Sequence, residues 1–78
     1  MSARAYVLIE SAVGRAGEVV AALKKIPGVT AVDTVTGPYD VILRIECDNL
    51  NDVGDVVTGQ VHPIPGIIRT VTCLIVGS

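Results

Sequence analysis

Four consecutive residues, Gly37-Pro38-Tyr39-Asp40, are the most promising candidates for chemistry in this chain, and they lie between two apolar, β-prone runs. Glycine and proline favour a turn, because proline fixes φ at the second turn position. A plain two-residue hairpin would be better served by Asn-Gly or Asp-Gly. The segment therefore predicts a turn that presents an aromatic ring and a carboxylate to a ligand or to a neighbouring chain.

Four polar residues in the predicted strands are further candidates: Asp33, Thr34, Thr70 and Thr72. One interpretation is that threonine suits β-strands and that these positions lie at exposed edges. The other is that their hydroxyl and carboxylate groups line a small polar pocket together with the 37–40 turn. The residues alone leave both interpretations open.

Catalytic and metal-binding residues are not predicted. His62 is the only histidine and is interpreted as a surface residue in a loop or at a helix end. Ser11 has no histidine partner nearby in sequence, and the carboxylates Glu10 and Glu46 are interpreted as solvated strand ends. No cluster of His, Cys, Asp and Glu has metal-ligand spacing, so no metal or cofactor is expected.

Composition bounds the class of protein. The chain has 78 residues, half of them hydrophobic, without Phe or Trp, which indicates one domain with more apolar surface than two helices can cover. Its net charge of −2 argues against contact with nucleic acid. Cys47 and Cys73 are interpreted as reduced strand residues. No apolar run reaches the about 20 residues that cross a membrane, so the cytoplasm is the expected location.

An internal repeat organises the chain. Ile26-Pro27-Gly28-Val29 recurs as Ile64-Pro65-Gly66-Ile67, with a helical pattern before each copy and a strand pattern after it. Proline stops a helix and glycine supplies the freedom to turn. Two copies of strand-helix-strand predict the order β-α-β-β-α-β.

The predicted elements form an α+β, ferredoxin-like βαββαβ sandwich, in which a four-stranded antiparallel sheet carries two helices on one face. The first strand is expected to be buried on both faces and the second to be an edge strand. The other face of the sheet is expected to pack on a second copy. The predicted strands are about 5–10, 29–36, 40–47 and 67–76; the first helix is about 14–25, and the second begins after a cap at Asp48 or Asn49, with Leu50, Val53, Val56, Val57 and Val61 as its apolar stripe.

The sequence resembles one known family over nearly its whole length, from about Ala5 to Val76. The similar segments are Ala-Tyr-Val-Leu-Ile-Glu, Gly-Arg-Ala-Gly-Glu-Val, Val-Thr-Gly-Pro-Tyr-Asp-Val-Ile-Leu-Arg and the closing Ile-Pro-Gly-Ile-Ile-Arg-Thr-Val-Thr-Cys-Leu-Ile-Val. They resemble the effector-binding (RAM) domain of leucine-responsive, Lrp/AsnC-type transcription regulators.

The resemblance implies a site and an assembly. It implies homodimers that associate through their sheets as in dimeric α/β-barrels, higher rings such as octamers, and a small effector, an amino acid or related metabolite, bound in clefts between dimers. The turn Gly37, Pro38, Tyr39 and Asp40 would line that cleft, and Asp33, Thr34, Thr70 and Thr72 would face it.

The sequence differs from the regulators of this family in its N-terminal part. Regulators of this family begin with a helix-turn-helix domain, whereas this chain begins at the first strand of the effector-binding domain. The sequence is therefore expected to be a single domain, residues 1–78, without direct nucleic-acid contact. It would act as a sensor or accessory module of transcription regulation, with a full-length regulator as a further partner. The alternatives are a small ferredoxin-like dimeric enzyme of monooxygenase or isomerase type, or a ligand-free oligomerisation module.

Overall fold

A computed structural model describes residues 2–77, and its topology confirms the predicted fold class. The elements are β1 (Ala3–Ser11), α1 (Ala16–Leu23), β2 (Val29–Thr34), β3 (Val41–Cys47), α2 (Leu50–Val56), a π-helical turn (Val57–Val61) and β4 (Ile67–Leu74). The four strands form one antiparallel sheet in the order β2-β3-β1-β4. The two central strands are therefore β3 and β1, and β2 lies at an edge as predicted.

The core lies between one face of this sheet and the two helices. Side chains alternate along a strand, so every second residue of β1 and β3 points to the same face. Val7 and Leu43, which pair across β1 and β3, are fully buried. The buried core consists of Ala5, Val7, Ile9, Val19, Leu23, Ile26, Val41, Leu43, Ile45, Val53, Val57 and Val61.

The second helical segment differs from its predicted form. The Asn49 side chain accepts a hydrogen bond of 2.9 Å from the Asp52 backbone N–H, so Asn49 is the cap. The helix then widens into the π-helical turn, which closes when the His62 N–H donates to the Val57 carbonyl at 2.9 Å. Leu50 was predicted to lie on the apolar stripe, but as the first helical residue it is 57% exposed.

The repeated Pro-Gly segments form equivalent turns. The Val29 N–H donates to the Ile26 carbonyl at 3.2 Å, and the Ile67 N–H donates to the Ile64 carbonyl at 3.3 Å. Their glycines have φ values of 94° and 99°, a region that side chains with a Cβ rarely adopt. The repeat therefore specifies how each helix returns to the sheet.

The second face of the sheet is open in the single chain. Leu8, Ile42 and Val71 lie at its centre and are only half-buried, while Tyr6 beside them is 41% exposed. The prediction that β1 is buried on both faces is therefore wrong for one chain, because both helices cover the opposite face. We call these four residues the open-face cluster. No helix within residues 2–77 has the length and apolar character needed to span a membrane.

Candidate functional site

The 37–40 turn closes the hairpin between β2 and β3. The Val35 N–H donates to the Asp40 carbonyl at 2.9 Å, which leaves residues 36–39 as the loop. Gly37 has a φ of 142°, so the chain reverses at a position where a Cβ would be strained. The turn therefore presents Tyr39 beside the ends of β1 and β4.

Asp40 joins the turn to the end of β1. One of its carboxylate oxygens, Oδ2, accepts hydrogen bonds from the Ser11 backbone N–H at 2.8 Å and from the Ser11 hydroxyl at 3.3 Å. In addition, the Asp40 N–H donates to the Ile9 carbonyl at 2.9 Å. Asp40 thus has a structural role in the chain.

Arg69 holds Tyr39 in place from β4. Its guanidinium carbon lies 5.5 Å from the centre of the Tyr39 ring, and its Nη2 donates to the Tyr39 hydroxyl at 3.4 Å. Its Nε lies 3.6 Å from Glu10 Oε1. Both charged side chains are substantially exposed, so this ion pair contributes little to stability. The arginine instead sets the position of the aromatic ring.

His62 and Thr70 meet on the other side of β4. The His62 Nε2 lies 2.8 Å from the Thr70 Oγ1, a hydrogen bond whose donor depends on the imidazole tautomer. Both residues line an open cleft of about 330 Å³, together with Ile67, Ile68 and Arg69. His62 follows a helical segment, as predicted, but its approach to Thr70 was missed. The sequence carries no signal for it, since the contact depends on the π-helical turn and on the return to β4.

The structure places the 37–40 turn, Thr34 and Thr70 at one end of the sheet, across its full width. Thr34 pairs with Val41 and Thr70 pairs with Ile9, so both lie at the end where the turn is found. However, β2 and β4 are opposite edges, separated by three inter-strand spacings or about 14 Å. One chain therefore keeps Thr34 next to Asp40 in the β2–β3 hairpin and holds Thr70 on the opposite edge strand.

The two remaining predicted residues point elsewhere. Asp33 pairs with Ile42 and lies on the open face of the sheet. Thr72 pairs with Val7, on the helix-covered face, and lines a second cleft further along β4. A site that includes all the predicted residues would need groups from more than one chain.

The arrangement at the turn end suits the binding of a small polar molecule. The cleft offers an imidazole, a hydroxyl and a guanidinium-bearing residue, which can donate hydrogen bonds to a carboxylate or similar group. Isoleucine side chains supply apolar contact beside them. Among residues 2–77, no three His, Cys, Asp or Glu side chains are close enough to hold a metal ion.

Comparison with known proteins identifies the family. Residues 4–78 match the model of the Lrp/AsnC ligand binding domain. The chain belongs to this Lrp/AsnC family. An uncharacterized HTH-type transcriptional regulator of Pyrococcus furiosus is 38% identical over 55 residues, which are 70% of this chain and 37% of that protein. The chain thus matches little more than a third of the length of this curated relative.

Solved structures extend the likeness to the whole Lrp/AsnC domain. A protein of Thermus thermophilus is 32% identical and superposes with a TM-score of 0.93, covering 97% of this chain and 95% of that one. A transcriptional regulator of Neisseria meningitidis, solved as a complex with L-Met, has a TM-score of 0.87 over 97% of this chain and 51% of its own. At 18% identity, this second likeness shows the fold alone.

Proposed function

We propose that this Lrp/AsnC domain is an effector-binding module of transcription regulation that binds an amino acid or a related metabolite between the subunits of a homo-oligomer. The observation that carries the proposal is the turn end of the sheet. There Tyr39 contacts Arg69, which also lines the cleft of His62 and Thr70, in a domain of this family. The Neisseria regulator of the same fold was crystallised with an amino acid, which supports the ligand class.

The geometry explains why the site would lie between subunits. The cleft at His62 and Thr70 is open to solvent, and Asp33 and Thr34 lie about 14 Å away across the sheet. Small-molecule sites usually enclose most of the ligand surface. A second subunit placed over the turn end would supply the missing walls.

The open-face cluster supports the homodimer. Leu8, Ile42 and Val71 form an apolar centre, and each such side chain contributes roughly 1.5–3 kcal/mol when fully buried. Packing this face on a second copy would bury three of them from each chain. The same face could accept the matching domain of a full-length regulator of the family.

A ligand screen tests the proposal. The natural protein is mixed with each of the twenty amino acids, and the melting temperature is measured. At least one is expected to raise the melting temperature, because a ligand that binds only the folded state stabilises it. If none does so, and calorimetry detects no binding of the same twenty, the amino-acid proposal is wrong.

A matched pair of variants then locates the site. Thr70→Val removes the hydroxyl that is hydrogen-bonded to His62 but keeps the shape of the side chain. We expect a smaller rise in melting temperature with the amino acid that stabilises the natural protein. Thr30→Val makes the same change at the opposite edge of the sheet and should keep the full response. Equal responses from the two variants would place the ligand away from the His62 cleft.

A further inference from the structure

Two irregular backbone features meet at the cleft of His62 and Thr70. The π-helical turn ends at His62. On β4, the register with β1 shifts between Glu10 and Ser11, which leaves Ile68 as the extra residue of a bulge. Such helical turns and bulges are both frequent at functional sites, where a bulge can redirect a side chain. Here they place an imidazole, a hydroxyl and an isoleucine side chain around one cleft of about 330 Å³.

The hydrogen bond between His62 and Thr70 can run in two directions. The two atoms, His62 Nε2 and Thr70 Oγ1, are 2.8 Å apart. A neutral imidazole has one N–H and one acceptor nitrogen, so Nε2 can accept the hydrogen of the Thr70 hydroxyl. An imidazolium has an N–H on both nitrogens and can only donate. Protonation of His62 therefore makes Thr70 Oγ1 the acceptor and frees the hydroxyl hydrogen for another group.

The cleft suits a carboxylate as that other group. Thr70 is half-buried and lines the cleft together with Arg69 and the two isoleucines, Ile67 and Ile68. Among residues 2–77, those that line this cleft include no carboxylate. A ligand carboxylate here would accept the freed Thr70 hydrogen and would lie beside the positive imidazolium. With a neutral His62, it would lose the charge and compete with Nε2 for the same hydrogen.

The charged groups around the cleft do not replace His62 in this role. Within β4 the one charged residue is Arg69, which packs on Tyr39 and lies 3.6 Å from Glu10 of β1, and the π-helical turn carries none. Histidine is the side chain that ordinarily changes its charge between about pH 5 and 8, and His62 is the only one in the chain. The charged residues on the neighbouring segments are Arg15, which adjoins Gly66 and pairs with Glu18, Asp40, which is bonded to Ser11, and Asp52 and Asp55 of α2.

We propose that His62 makes the binding of a carboxylate in this cleft proton-dependent, so that occupancy by the effector rises as the pH falls. The proposal rests on the proposed function, because it assumes that the effector enters the cleft by its carboxylate. It goes further by naming the residue that regulates the site. Since binding and protonation are linked, a carboxylate that favours the imidazolium is itself bound more tightly when His62 is protonated.

Binding of isovalerate at two pH values tests the proposal. This probe has a carboxylate and a branched apolar tail but no amino group, so it reports on the carboxylate contacts alone. Its affinity is measured by NMR chemical shifts at about pH 6 and about pH 8, where histidine differs in charge. We expect binding about three- to fivefold tighter at the lower pH, close to the factor that two unit charges about 4 Å apart give in water.

The outcomes separate this proposal from the proposed function. Equal affinity at both pH values, or no binding of isovalerate at the lower one, would overturn the role of His62 even if the amino-acid screen succeeds. A failed screen together with pH-dependent binding of isovalerate would overturn the amino-acid proposal and keep the role of His62.

Two variants separate the position of the imidazole from its charge. His62→Gln keeps an amide that can hydrogen-bond to Thr70 but cannot gain a proton, so its affinity for isovalerate should be equal at both pH values. In that background, Gln60→His adds an imidazole on the same π-helical turn, at an exposed position that does not line the cleft. The pH dependence should stay absent. Its persistence in His62→Gln, or its recovery with Gln60→His, would overturn the proposal.

The imidazole signal of the natural protein gives a direct readout. Because the chain has one histidine, a single NMR resonance follows its protonation. Isovalerate should move the midpoint of that titration to higher pH, since the bound carboxylate favours the imidazolium. Thr70→Val should reduce the shift, because it removes the hydroxyl that the two groups share. A midpoint that isovalerate does not move would overturn the proposal, whereas a purely structural His62 predicts that result.

Discussion

At the scale of single residues, Asp40 shows how a predicted binding residue can also hold the fold. Its carboxylate accepts two hydrogen bonds from Ser11, a residue that is only 9% exposed. Asp40→Ala would leave the Ser11 backbone N–H without that partner. We expect a loss of about 1–3 kcal/mol in the free energy of unfolding, measured by urea denaturation.

A surface aspartate provides the control for Asp40. Asp55→Ala, in the exposed part of α2, should change stability by about 0.5 kcal/mol or less. If the two variants unfold alike, the contacts of Asp40 with Ser11 do not stabilise the chain. Because Asp40→Ala is expected to weaken the fold, a lost ligand response in that variant would not by itself assign Asp40 to the site.

Cys47, at the end of β3, provides a second prediction at this scale. Burial first, and then the nearby carboxylates of Asp52 and Asp48, raise the pKa of its thiol. The folded chain therefore keeps this thiol protonated at a pH where the unfolded chain ionises it. As a result, stability should fall as the pH rises from the pKa of the unfolded thiol to that of the folded one.

Alkylation measures this pKa directly. In a Cys73→Ser background, the pH at which iodoacetamide modification of Cys47 reaches half its maximal rate should be higher in the folded protein than in urea. Asp52→Asn should move that midpoint to lower pH, since it removes one of the raising charges. A midpoint that is the same in folded and unfolded protein would contradict the raised pKa.

At the scale of elements, the sequence predicts the turns correctly but not the residues at which the strands end. The two Ile-Pro-Gly turns were predicted because proline and glycine dictate the backbone within a few residues. In contrast, β2 was predicted to reach residue 36 but ends at Thr34, and β4 was predicted to reach 76 but ends at Leu74. Strand ends depend on pairing with distant segments, and threonine or valine suits a strand whether or not a partner is present.

Two glycine positions separate backbone strain from steric contact. Gly66 has a φ of 99°, and a Cβ there would lie 3.0 Å from the Arg15 Cβ and 3.3 Å from a Val19 methyl. Gly37 has a φ of 142° with nothing within 4 Å of its Cβ. Substitution by alanine strains both, at about 1–3 kcal/mol, and only Gly66→Ala adds a steric clash with a helix. In urea denaturation, Gly66→Ala should have a lower free energy of unfolding than Gly37→Ala. The reverse order would show that Arg15 and Val19 move away from the added methyl group at little cost.

At the scale of the whole molecule, the sequence predicts the architecture but not the contacts between the candidate residues. Gly-Pro-Tyr-Asp predicts a turn, and the structure forms that turn between β2 and β3. The meeting of His62 with Thr70 was not found, because it requires the helix to widen and the chain to return along the edge of the sheet. Likewise, the surplus of apolar residues predicts burial between subunits but does not indicate which surface is buried.

The open face provides the last prediction, which concerns assembly. Leu8 lies at the centre of the open-face cluster, so Leu8→Glu would place a charge in the middle of the proposed dimer contact. Burying an unpaired charge is strongly unfavourable, and we expect a fall in mass by light scattering while far-ultraviolet circular dichroism stays that of the folded chain. Val13→Glu, at a fully exposed loop position, makes a similar change and should keep the natural mass. If both variants keep that mass, the face does not hold the dimer together. A fall in mass for Leu8→Glu alone would assign the open face to the dimer.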